Sequence, residues 1–160
     1  MRDGLLSGGL LLASVLSGCS GGLDPTVLPT EAIIRGTVRF QGTWPPVDSL
    51  RDLRVVAFQH YPPRNVFNEV ISGRAIFSER LPFRVELVQY QLVVAQPPVV
   101  FRYIVVAQQY GPDLFQHWRV VGVYARNATQ PDSLWVEPGG IYPSVDITVD
   151  FDYLPPQPFE

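Results

Sequence analysis

The sequence predicts an all-β fold, an antiparallel β-sandwich of about seven to eight strands, on three observations. Apolar and polar residues alternate with period two in run after run, the runs are rich in Val, Ile, Tyr and Phe, and clusters of Pro, Gly, Asn, Asp and Ser separate them. The 160 residues are 46% hydrophobic and only 17% charged, with 16 Pro and 13 Gly. That composition suits one globular domain with a packed core rather than a disordered chain.

The first strand is expected from Ala32 to Phe40, where Ile34, Gly36, Val38 and Phe40 share one face and Arg35, Thr37 and Arg39 the other. Further strands are expected at Leu53 to Gln59, Arg74 to Glu79, Phe83 to Ala95, Val99 to Gln109, His117 to Ala125 and, briefly, Ser133 to Glu137. The last run, Val145 to Tyr153, alternates most strictly. Val145, Ile147, Val149, Phe151 and Tyr153 face inward, and Asp146, Thr148, Asp150 and Asp152 face solvent. One short helix is expected at Asn65 to Ser72, where Val66, Phe67, Val70 and Ile71 recur at helical spacing. The connections are too short for crossover helices, which favours antiparallel pairing.

Ahead of this domain, Met1-Arg2-Asp3-Gly4 leads into a 12-residue apolar run, Leu5 to Leu16, too short to span a bilayer, which needs about 20 residues. The run closes on Leu16-Ser17-Gly18-Cys19, which resembles the lipobox of bacterial lipoproteins. The resemblance implies that residues 1–18 are a signal peptide, that the bond before Cys19 is cut, and that Cys19 carries acyl chains that anchor the protein in a membrane. Several chains give stable attachment where one is marginal. Ser20 after the anchor resembles the outer-membrane sorting pattern, so the bacterial cell envelope, and within it the outer membrane, is the expected location. Residues 19–30 then form the lipidated Cys and a tether rich in turn formers. Residues 31–160 form the β-domain.

Within the domain, Ile34-Arg35-Gly36-Thr37-Val38, then Pro45-Pro46, then Leu53 to Phe58 resemble the opening of transthyretin-like or carboxypeptidase regulatory-like sandwiches. Leu92-Val93-Val94, Pro97-Pro98 and Tyr103 to Ala107 resemble a later strand, turn and outgoing strand of that family, although Pro98-Val99-Val100-Phe101 replaces its usual Gly and aromatic. An immunoglobulin-like sandwich fits these short stretches as well. The family carries no single catalytic set, so the resemblance implies a fold and no activity.

The formal net charge is -3 and the twelve basic residues, all Arg, are scattered, which leaves no footprint for nucleic acid. One Cys and two His provide no metal set, and no cofactor is expected. Asp146, Asp150 and Asp152 are too widely spaced along a strand for one cation site, and they read as a solvated face. Asn127-Ala128-Thr129 matches a glycosylation acceptor but reads as loop. His60 and His117 are the only candidates for hydrolytic chemistry, with no nucleophile elbow beside either. Aromatic residues beside turns, namely Trp44, Tyr110 and Tyr142, are the candidate partner-binding residues, since rigid amphipathic rings on loops recognise surfaces at low entropic cost. Counting alternating loops places these three at one end of the sandwich, away from the anchor, with Tyr61 at the other end. The expected function is therefore a non-catalytic envelope module that binds or scaffolds a protein, peptide or glycan. An envelope hydrolase using His60 or His117 and a purely structural envelope component are the alternatives.

Overall fold

The computed structural model describes residues 30–63, 65–126 and 130–158. Cys19 and Asn127-Ala128-Thr129 lie outside the described residues. The chain is all-β. Among the described residues ten strands run β1 (Ala32–Gln41), β2 (Asp52–Phe58), β3 (Ala75–Phe77), β4 (Leu87–Val94), β5 (Val99–Phe101), β6 (Tyr103–Gln109), β7 (Trp118–Val123), β8 (Leu134–Val136), β9 (Ile141–Tyr142) and β10 (Ile147–Asp150). Among the described residues one α-helix, α1 (Val66–Ile71), lies where the spacing of apolar residues placed it. It starts at Asn65, whose side chain accepts from the Asn68 N–H and so satisfies one of the free donors of the first turn.

Eight strands form one curled sheet in the order β3-β2-β6-β7-β10-β1-β4, with β9 alongside β1, and β5 pairs with β8 in a second, two-stranded ribbon. The expected all-β class holds and the main sheet has the expected number of strands, but the β5–β8 ribbon adds two more and the pairing is mixed rather than antiparallel throughout. Both β9 and β10 run parallel to β1 (Ile33 opposite Ile141, Val38 opposite Ile147), because the chain leaves the sheet for the β5–β8 ribbon and re-enters beside its first strand. The expected run Val99 to Gln109 is split at Arg102 between the ribbon and the sheet, and β9 is a strand the alternation does not reveal.

Burial follows the alternation. Ala32, Ile34, Val38 and Phe40 of β1 and Val145, Ile147 and Val149 before and within β10 enter the main core with Leu53, Val55, Ala57, Ile104 and Val106. Tyr153 is the exception: the strand ends at Asp150, a turn follows, and the ring is 83% exposed rather than inward. Strand β6 is buried on both faces along its whole length. Its other face builds a second apolar layer, in which Tyr103, Val105 and Ala107 meet Val56, Phe58, Ala75 and Val120, with Val66 and Val70 of α1 packed against them.

Between β9 and β10 the chain runs alongside β1 at very close range. Val145 N–H donates to the Arg35 carbonyl, and the Val145 carbonyl accepts from the buried Tyr90 hydroxyl at 2.6 Å. Only glycine fits beneath it, since a Cβ on Gly36 would stand 1.9 Å from the Val145 oxygen. Asp146 then takes the Thr37 N–H at 2.7 Å on its carboxylate. Asp150 accepts from the Gln41 amide and Asp152 from the Thr43 N–H. These carboxylates thus close the strand end hydrogen bond by hydrogen bond, and among the described residues no His, Cys, Asp or Glu cluster is arranged for a metal ion.

Candidate functional site

The second apolar layer is only partly covered. Along the outer face of β2, β6 and β7 runs an open groove of about 1470 Å³. Its floor is Val56, Phe58, Val105 and Val120, and its walls come from three distant parts of the chain: α1 at one end, the loop from Tyr110 to Gln116 at the other, and Leu154 to Gln157 beside β7. Each wall is fixed by polar bonds that leave its apolar side chains outward.

The loop wall turns on Asp113 and His117. The Asp113 carboxylate accepts from the Phe115 and Gln116 N–H groups at 2.7 and 3.0 Å, which hold its pKa below the usual carboxylate range. His117 Nδ1 accepts from the Asp113 N–H at 3.0 Å, and the Trp118 indole donates to the Leu114 carbonyl. The turn so formed displays Leu114 and Phe115, 65% and 67% exposed. The tail wall is pinned by Gln157, whose side-chain amide both accepts from Val120 N–H and donates to Val120 C=O, where β7 has diverged from β10.

The helix wall rests on Glu69. This buried carboxylate faces His60 Nδ1 at 3.1 Å and Arg74 Nε at 3.2 Å. Burial alone would raise its pKa, but the hydrogen bonds and charges of His60 and Arg74 outweigh that and hold it below the ordinary value. Since an ionised carboxylate only accepts, His60 Nδ1 carries the proton. Arg54 borders the groove with its guanidinium 5.5 Å from the Phe77 ring centroid. It is bound to Asp52, whose pKa burial would raise but Arg54 and Arg80 bring down.

The structure brings two of the three candidate aromatics to one end of the sheet. Trp44 follows β1 and packs against Phe40 and Phe151, with ring centroids 4.9 and 4.6 Å away. Tyr110, 40% exposed, follows β6 and lines the groove, with Arg119 stacked 5.8 Å above its ring. Tyr142 lies at the opposite end, opposite Ile34 near the start of β1, with its hydroxyl taking the Glu137 N–H. The expected single rim of three rings is therefore corrected: the detour through β5–β8 and the parallel return break the loop alternation on which it rested. Tyr61 lies after β2 at that same opposite end, as expected. Sequence reasoning missed the groove because its walls are short turns and a tail. The exposed apolar pair Leu114-Phe115 inside a polar loop was the available clue.

Fold and groove together define an all-β domain with an apolar cleft on its outer sheet face. No protein-family model, curated protein or solved structure matches the chain significantly.

Proposed function

We propose that this protein is a lipid-anchored envelope lipoprotein whose β-domain is a non-catalytic binding module, and that the groove receives an apolar, extended segment of a partner protein. The observation that carries this reading is the groove itself: walls from three separate chain segments, each locked by its own hydrogen bonds, hold open a cleft with aliphatic and aromatic lining. A preformed apolar cleft with a few polar groups at its border is the usual form of a binding site. The lining favours apolar side chains over a glycan, which needs a dense set of polar partners. Trp44 is half-buried in the core, so of the candidate aromatics Tyr110 is the one placed to contact such a partner. His60 and His117 both spend Nδ1 on local structure, and no observation favours the hydrolase reading.

The test is site-specific photo-crosslinking in intact cells from Phe77 and Tyr110, with Trp44 as the comparison position. A defined partner should crosslink from both positions and be lost when Leu114→Glu is introduced, while Trp44→Phe leaves it intact. Crosslinks that persist in Leu114→Glu, or that form only from the Trp44 position, overturn the assignment.

A further inference from the structure

We propose that the end of the domain where β1 begins rests on the lipid bilayer, with Trp135 and Ile141 in the interfacial layer. This rests on the anchor at Cys19 argued above.

Register places three β-branched side chains in one row on the solvent face of adjacent strands: Val93, Ile33 and Ile141 stand directly opposite one another across β4, β1 and β9. Val93 is 47% and Ile141 60% exposed. Beside them, the β5–β8 ribbon joins the end of β4 to the start of β6 and so crosses the mouth of the curled sheet at this end. Val99, Phe101, Leu134 and Val136 of the ribbon face the core. The alternate cross-strand pair, Val100 and Trp135, therefore faces away from it, and Trp135 is 59% exposed.

The chain leading to Cys19 enters at this same end. The Thr30 carbonyl accepts from Gly139 N–H, and Ile33 N–H donates to the Gly140 carbonyl. Ser20 to Thr30 is eleven residues, a reach of at most about 36–40 Å. An acyl-anchored Cys19 thus attaches the domain to the membrane from this end, and the exposed apolar side chains there select it for contact with the headgroups. The apolar character also stops abruptly away from the anchor: one row further up the sheet Arg35 donates to Gln91 at 3.0 Å, and the next solvent-facing pair is Thr37 and Gln89. An indole with branched aliphatic neighbours suits the boundary between headgroups and acyl chains. The exposed charges at this end are of both signs, Glu31 and Glu137 with Arg102 and Arg126, so the contact rests on the apolar side chains rather than on anionic lipid.

Trp44 and Trp118 both lie at the opposite end of the sheet, one after β1 and the other opening β7. Trp135 is therefore a native reporter. Mature protein purified from membranes is placed on phosphatidylcholine vesicles with chains brominated near the headgroup. Intact mass verifies the lipid on Cys19, flotation the bound fraction, and bromine quenching of Trp emission the contact. Wild type should be quenched to the same extent at low and high salt. The quenched component should be lost in Trp135→Phe and reduced in Ile141→Asn, with flotation unchanged in both. Bound, lipid-carrying wild type quenched no more than Trp135→Phe overturns the docking and leaves the anchor standing. Self-association that shields Trp135 assigns the face to a second copy instead and equally overturns it. An unmodified Cys19 overturns the anchor and the docking together.

Discussion

Replacing Gly36 by Ala adds one methyl group where the chain before β10 presses against β1. Its carbon would lie 1.9 Å from the Val145 oxygen, 2.5 Å from the Val145 carbonyl carbon and 2.9 Å from a Tyr90 ring carbon. A carbon–oxygen contact normally needs roughly 3.3 Å, so the segment around Val145 must retreat by on the order of 1.5 Å. It is not free to do so, being paired to β1 on one side at Ile34 opposite Tyr142 and on the other at Val38 opposite Ile147. Retreat breaks the Val145 N–H bond to Arg35 and the Tyr90 hydroxyl bond to Val145. At about 1 kcal/mol each, and with about 1–3 kcal/mol of overpacking, the expected loss is about 3–5 kcal/mol. Urea unfolding should show it as a lower midpoint at unchanged slope, about 2 M lower for a slope near 2 kcal/mol/M. Gly73→Ala is the control: there φ is +70° and nothing lies within 4 Å of the added carbon, so only backbone strain of about 1–2 kcal/mol applies. Tyr90→Phe, which leaves the Val145 carbonyl buried without its partner, should cost about 1–3 kcal/mol by itself and much less in the Gly36→Ala background. A Gly36→Ala loss no larger than that of Gly73→Ala refutes the reasoning.

Glu69 and Asp52 both have lowered pKa values, so they stabilise the fold above the ordinary carboxylate range, and that contribution drains away as pH falls through their folded values. The urea midpoint should therefore drop below about pH 4, and Glu69→Gln should lower it at neutral pH and flatten the acid limb. Phe151→Ala, which removes a ring packed on Phe40 and Trp44, should cost about 2–4 kcal/mol, against about 0.5–1 for Asp150→Ala, as measured by chemical denaturation. Cys19→Ser should remain unprocessed or leave the membrane fraction, whereas wild type should have lost residues 1–18 and carry acyl chains by intact mass.

Much of the fold was legible because β1 and β10 each bury one face only, and a half-buried strand writes its period into the sequence. Strand β6 was legible for the opposite reason, as an apolar run from Tyr103 to Ala107 with packing on both faces. The two-residue β9 has no period to display, and the parallel return to β1 is decided by which open edge the chain meets after the ribbon, information spread over a hundred residues. Tyr153 misled because alternation continues past the point where the turn at Asp150 stops the strand. The groove belongs to the same category as β9: α1, the Tyr110 loop and the Gln157 tail converge through tertiary packing, and each taken alone reads as an ordinary surface segment.

The pairing of the first strand with the last has a consequence for how the domain is made. Thr37 and Asp146 meet across 109 positions, and until the closing strand arrives one hydrogen-bonding edge of β1 is open. Contacts so remote in sequence form late and slowly. A chain threaded through a membrane N-terminus first would expose that edge throughout its passage, and loss of the last dozen residues of the sheet would leave a sticky strand rather than a smaller domain. Completion of the sheet therefore turns on one late event, the docking of Ile147–Asp150 against Val38–Gln41.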